Sequence, residues 1–345
     1  MQDESDVVVV DDLFSQDEDA PQEPRRSRRA LRRWLIVLGV LVGVLAVGVG
    51  SLASYGVQTL NTVKREPGLL PVDRPTVSPE KLVAQPVNFL LLGVDKRGND
   101  RGRSDVTMLV HSDPSRAKLY LISLPRDLWV PIPGHGKNKI NAAYAFGGAP
   151  LAVRTVEKLL GIQVDHVALT DFDGFFRLID DLGGVRVFNT IPSSNLGFTF
   201  RRGEIKLTGA SALAYVQQRY DLPRGDFDRA ERQRLVMKAI FDKVASGQTL
   251  TDPGRFLAVV KRLSKSVTVD DTLTNERILA LVQELQLTSG QAIEQLQAPV
   301  AGFGRSSVGA SYVKPDKAGI ARLGEALASG RMGSYKVLPG HPSGG

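Results

Sequence analysis

Three short stretches of this 345-residue sequence bring arginine and aspartate together at the edges of apolar runs. The first, GVDKRGNDRGRSD, sets Asp95 behind one apolar run and places Arg103 and Asp105 before the next. The second, SLPRD, puts Arg126 and Asp127 after a third run. The third, QQRYDLPRGDFDRAERQR, carries Arg219, Arg224, Asp226, Arg229, Arg232 and Gln233. Two carboxylates delivered by adjacent strands, Asp95 and Asp105, make a hard oxygen site suited to Mg²⁺. Arginine forks match phosphate oxygens in pairs. Arg229 and Gln233 stand four apart, so a helix presents both on one face. These parts predict a site for a Mg²⁺-bound pyrophosphate, in which positioning and charge stabilisation replace a protein nucleophile. Plainer readings stand beside this one: a strand-end turn or cap for Asp95, surface salt bridges for the Arg/Asp pairs, and a solvated helix face for Arg232 and Arg234.

Several chemistries are excluded by what the chain lacks. Without cysteine there is no disulfide, iron–sulfur ligation or thiol nucleophile. The four histidines, His111, His135, His166 and His341, form no HExxH or similar ligand spacing. Gly134-His135-Gly136-Lys137 lacks the frame of a P-loop, and no GxSxG elbow is present. Carboxylates, arginines and hydroxyls must carry any chemistry.

The elements that would position these residues follow from periodicity and punctuation. Strands are expected over 87–94, 106–111, 118–124, 166–170 and 185–188, with further strands near Ala298 and Val313. Helices are expected over 141–146, 151–160, 172–182, 211–218, 228–245, 255–263, 275–285 and 317–328. Gly161 caps one of them and Gly183-Gly184 stops another. The interleaving predicts an α/β fold, a single domain over 87–336 with helices packed on a central mixed sheet, and a flexible end over 337–345. In such sheets ligand groups collect at strand ends.

The first quarter of the chain reads differently. Residues 34–54, WLIVLGVLVGVLAVGVGSLAS, carry no charge and are long enough to cross a ~30 Å hydrocarbon core as a helix, predicted over 34–55. Six arginines in residues 25–33 precede it, which places the N-terminus in the cytoplasm and the long C-terminal part outside. A cleaved signal peptide would have a shorter apolar region and rarely follows an acidic leader of this length. Residues 1–24 hold nine acids and no Lys or Arg, the composition of a disordered tail that runs to the arginine cluster at 33. Five prolines between 56 and 86 predict a stiff extended spacer. Residues 34–345 hold 38 basic against 28 acidic residues, which suggests anionic partners.

The stretches NFLLLGVD, GRSDVTMLV, LISLPRDLWVPIPG, KINAAYAFGG, DFDGFFRLIDDLGGV and ALAYVQQRYDLPRGDFDRAERQR follow one another in this order over roughly residues 87–245. In these the chain resembles the LytR–CpsA–Psr family of cell-wall polymer ligases. The resemblance implies a membrane-anchored extracytoplasmic α/β/α domain acting as a phosphotransferase. The donor it implies is a polyprenyl-pyrophosphate-linked glycopolymer and the acceptor is peptidoglycan, with no nucleic-acid partner. Carried over, Asp95 and Asp105 hold Mg²⁺ and act with Arg126 as the catalytic set. Arg103, Arg126, Arg219, Arg229 and Gln233 contact the pyrophosphate, and Asp127 orients Arg126. Where the family has Arg-x-Arg after ALAY, this chain has Gln217 before Arg219, which weakens one head-group clamp. Two other readings share this site: a polyprenyl-pyrophosphate phosphatase, and a non-catalytic protein that binds lipid-linked precursors.

Overall fold

A computed structural model of the chain describes residues 56, 58–73, 85–97, 100–114, 118–244, 252–284 and 292–336. The acidic tail, the apolar segment over 34–54 and residues 337–345 lie outside the described residues. No helix among the described residues is long and apolar enough to cross a membrane.

Seven strands form the central sheet: β1 (Lys64–Glu66), β2 (Val87–Arg97), β3 (Asp100–Ser112), β4 (Lys118–Ser123), β5 (His166–Asp171), β6 (Thr268–Asp270) and β7 (Ala292–Gln297). Their order is β1-β6-β5-β2-β3-β4-β7. The β2–β3, β3–β4 and β5–β6 pairs are antiparallel, while β2–β5, β4–β7 and β1–β6 are parallel, so the sheet is mixed as expected. This topology brings the C-terminal ends of β2, β4 and β5 and the start of β3 to one edge. All three Arg/Asp stretches approach that edge.

Strand alternation divides the core. Leu90, Leu92, Leu109, Tyr120 and Ile122 face one side, and Leu91, Met108, Val110, Leu119 and Leu121 face the other. The helices are α1 (Ala142–Leu160), α2 (Phe172–Asp181), α3 (Gly209–Gln217), α4 (Asp226–Val244), α5 (Pro253–Leu263), α6 (Asn275–Glu284) and α7 (Lys317–Ala328). Helices α1 and α7 cover the first face. On the second, α4 packs Met237 and Phe241 against the sheet and shares a further core with α2 and α3. The layers are therefore α/β/α.

Two expectations need correction. The helices predicted over 141–146 and 151–160 are two halves of α1, joined across a kink at Gly147 and Gly148, with Pro150 opening the second half. More important, the spacer predicted over 56–86 begins inside the fold. Residues 64–66 are the edge strand β1, paired to β6, and Leu60, Leu69 and Leu70 are buried. Burying three leucines contributes several kcal/mol, roughly 1.5–3 each, which outweighs the extended preference of the prolines around them.

Candidate active site

Asp105 owes its position to an irregular pairing. Gly93 pairs with Val106 and Val94 with Ser104, leaving Asp105 as the extra residue of a bulge. A bulge re-aims the side chains around it, and Asp105 and Val106 line the same cavity. Gly93 allows the approach, since a Cβ there would lie 2.9 Å from the Val106 Cβ. Asp95 pairs with Arg103 across the hairpin, on the far side of the bulge. The Asp95 side chain lies outside the described residues, and Arg103 is exposed.

Arg126 sits where β4 ends. Its Nη1 donates to Asp105 Oδ1 at 2.6 Å. Its Nε lies 3.5 Å from Asp226 Oδ1 and 3.9 Å from Asp127 Oδ2. Asp226 also takes Arg229 Nη2 at 2.6 Å, so one carboxylate bridges the two guanidiniums. Burial pulls the Arg126 guanidinium down, but Asp105, Asp226 and Asp127 together hold it above its ordinary value. Arg229 is 8% exposed; burial, with Arg126 and Arg219 nearby, holds it below the usual arginine value despite Asp226. Asp127 meets Lys139 Nζ at 2.8 Å, a closer partner than Arg126, and its carbonyl accepts the Val313 N–H.

Helix α4 organises the third stretch. Asp226 and Asp228 occupy its first turn, where the helix dipole favours negative charge. Asp228 accepts both the backbone N–H and the Nε of Arg224, and Glu231 takes the rest of that guanidinium, so Arg224 serves the loop rather than the cavity. The solvated face expected for Arg232 and Arg234 is overturned, because they are 3% and 0% exposed. Arg232 donates to Gln218 Oε1, the Ile191 carbonyl and Ser193 Oγ, and lies over the Tyr215 ring. That clamp fixes the turn after α3, aiming Gln217 into the cavity and leaving Arg219 exposed beside Tyr220. Arg234 reaches Ser123 Oγ, and burial pushes its guanidinium down to about 10.

A cavity of about 410 Å³ lies between the second sheet face and helices α2, α3 and α4. Leu91, Met108, Phe175, Leu178, Val216 and Met237 make most of its wall apolar. Its polar groups are Asp105, Thr170, Asp171, Gln217, Arg229 and Gln233. Such a chamber suits a long apolar chain carrying an anionic head. Gln233 donates to the Val216 carbonyl at 3.4 Å, a long bond that leaves its amide available at the cavity.

Toward Mg²⁺ the described residues offer Asp105, whose Oδ1 accepts from Arg126 Nη1. No group of three or more acidic or histidine side chains gathers among the described residues. Asp171 is committed to capping α2 through the Gly174 N–H, while Asp105 offers a half-buried carboxylate at the cavity. Mg²⁺ is commonly held by one or two carboxylates, with phosphate and water oxygens completing its shell.

The structure therefore brings Asp105, Arg126, Arg229 and Gln233 together and leaves Arg103 and Arg219 exposed. Asp226 and Lys139 had no role assigned from the sequence, while Gln217, expected at a head-group clamp, does line the cavity. The Asp226–Arg229 spacing of three, at a helix start, was the one available signal.

The site thus combines an α/β/α sheet, a bulge-borne Asp105, an Arg–Asp–Arg bridge and an apolar chamber. The LytR_cpsA_psr family matches residues 53–329, and the chain belongs to that family. A relative from Bacillus cereus strain AH820, named polyisoprenyl-teichoic acid–peptidoglycan teichoic acid transferase TagU, is 39% identical over 242 residues, covering 69% of this chain and 79% of that protein. Its counterpart of the same name from Bacillus mycoides is 35% identical over 292 residues, covering 82% and 92%. Among solved structures, Bacillus subtilis TagV superposes with a TM-score of 0.62 at 29% identity, covering 74% of this chain and 99% of that one. TagT bound to LI-WTA does so at 0.60 and 27%, covering 78% and 98%.

Proposed function

We propose that this protein transfers a glycopolymer from a polyprenyl-pyrophosphate carrier to peptidoglycan in cell-wall assembly. The observation that carries this is the apolar cavity whose polar groups include Asp105, Arg229 and Gln233. An isoprenoid chain fits the apolar part, and its pyrophosphate would meet the guanidiniums of Arg229 and Arg126. Relatives named for the transfer of polyisoprenyl-linked teichoic acid to peptidoglycan support the same substrates.

The acceptor hydroxyl oxygen bonds to the sugar-proximal phosphorus, its proton passes to water, and the bond to polyprenyl phosphate breaks with the electron pair on the leaving oxygen. Arg126 and Arg229 hold the non-bridging oxygens and stabilise charge as it builds on the leaving group. Arg103 and Arg219 approach from the rim, and Gln233 donates from the α4 face. Asp105 and Asp95 would hold Mg²⁺, which when bound neutralises pyrophosphate charge. The carrier never leaves the bilayer, which gives the apolar segment over 34–54 its role as a single-pass anchor, with the N-terminus cytoplasmic and the domain outside.

The test is reconstitution of the full chain with Mg²⁺, a lipid-linked oligosaccharide and peptidoglycan. Glycan should appear on peptidoglycan, and Asp105→Ala should abolish its appearance. Release of free glycan phosphate at the same rate with or without peptidoglycan would instead make the protein a phosphatase.

A further inference from the structure

A second recess, of about 460 Å³, lies at the far end of α4 and plays no part in the site above. Gly183, Gly184, Arg186, Lys206, Asp242 and Lys243 line it. They come from the turn that ends α2, from the hairpin pairing Val185–Asn189 with Gly203–Leu207, and from the last turn of α4. The hairpin register sets Arg186 directly opposite Lys206, and like charges so paired weaken a hairpin. Lys243 joins them, its Nζ donating to the Gly184 carbonyl at 2.7 Å. Partial burial, then Lys206, Arg262 and Arg186, hold its ammonium below the usual lysine value.

The nearby carboxylates do not balance this charge. Glu204 takes Arg186 at 2.8 Å on the exposed side, and Asp242 takes Lys238 at 2.7 Å. Among the described residues, Lys206 and Lys243 at the recess are thus left without a carboxylate in ion-pair contact. Gly184, at φ +82, brings the turn so close that a Cβ would lie 2.7 Å from the Leu207 carbonyl oxygen and 3.0 Å from Lys206 Cε. Cations that converge on one recess attract an anion whose several oxygens can meet more than one of them.

The position of the recess indicates the source of that anion. Helix α5 ends in Lys261 and Arg262, with Lys265 just beyond, all exposed. The start of the folded chain lies on the same helix. A Cβ on Gly56 would be 3.7 Å from Leu257 Cδ1, and Thr62 Oγ1 is 2.9 Å from Ser264 Oγ. Leu257 to Arg262 spans only about 7–8 Å of helix. One residue, Tyr55, separates Gly56 from the apolar segment ending at Ser54. The cavity wall includes Val267, a few residues past the end of α5.

We propose that this recess binds the phosphate of an anionic phospholipid headgroup, holding the α5 side of the domain on the bilayer so that the apolar cavity is served from the membrane. The inference rests on the anchor reading of residues 34–54.

The test uses the full chain in nanodiscs of phosphatidylcholine alone or mixed with phosphatidylglycerol, with lysine acylation read by mass spectrometry. Lys206 and Lys243 should react about fivefold more slowly on anionic discs, the weight of the attraction per basic residue near such a surface. Lys118, on the far side of the sheet and paired with Glu294, should not change. In Lys206→Gln the protection of Lys243 should shrink. Equal labelling of Lys206 and Lys243 on both discs overturns the proposal. So does protection by glycerol phosphate in detergent micelles without a disc effect, which would make the ligand a soluble phosphate. A chain that alkaline carbonate strips from membranes would refute the anchor itself, a failure distinct from equal labelling of a chain that stays.

Discussion

Asp226 lies between Arg126 and Arg229 and determines how far apart their guanidiniums rest. In Asp226→Asn the charge that holds the two cations together is lost, and they move apart by repulsion. Misplacement on the scale of an ångström can cost on the order of a hundredfold in rate. We expect that loss in kcat with donor affinity reduced far less, measured by steady-state transfer with varied donor. Gln217 sits in the cavity beside Arg229 and Gln233 without charge. Gln217→Arg should tighten donor binding about tenfold by adding a charge-assisted clamp, read as a lower donor KM. Arg234 is a third case, because its Nε and Nη2 have no hydrogen-bond partner among the described residues. Exchanging buried ion pairs for well-packed apolar side chains of similar volume is often neutral or stabilising, by about 1–4 kcal/mol. Arg234 has no acid paired with it among the described residues. Arg234→Met should therefore not lower the urea midpoint. These roles were only partly legible in the sequence. Arg126 and Asp105 announce themselves by motif, but nothing near Asp226 shows that Arg126 will be its neighbour, nor that Arg232 and Arg234 will be buried.

Among the elements, the short strand β6 shows how a three-residue segment can hold a sheet together. Asp270, fully buried, accepts the Val167 N–H at 2.8 Å and meets His166 Nδ1 at 3.3 Å and the Thr272 hydroxyl, tying β6 to β5. Burial alone would raise its carboxyl, yet bonds from His166, Thr272 and Val167 bring it below the ordinary aspartate value. The folded pKa is thus lower than the unfolded one. Its stabilisation is full above the unfolded value and disappears as pH falls through the folded one. Asp270→Ala should cost about 3–5 kcal/mol near neutrality, with the gap to the parent closing below about pH 4, followed by urea titration across pH. Strand β6 was invisible in the sequence because three residues hold no period. The longer runs 87–94 and 118–124 were visible because alternation repeats within them.

At the scale of the whole molecule, residues 56–73 decide where the domain starts. A protein beginning at residue 74 should lose β1 and the burial of Leu60, Leu69 and Leu70, destabilising it by roughly 5 kcal/mol or more. One beginning at residue 55 should melt cooperatively by circular dichroism, and the shorter one should not. The local parts were set by the sequence alone: the α/β alternation, the cap at Gly161, the stop at Gly183-Gly184, and the placement of Arg126 just past β4 and of Arg229 in the first turns of α4. Each depends on residues a few positions apart, within the reach of backbone propensity and periodicity. Asp105, expected ahead of its strand, instead lies inside β3 at the bulge. The tertiary structure alone decided that a proline-rich stretch joins the sheet, that Asp226 bridges two arginines, and that the cavity is lined by strands, α2, α3 and α4 together. The partner and dielectric of a charge are supplied by residues brought from distant parts of the chain, and no local pattern encodes them.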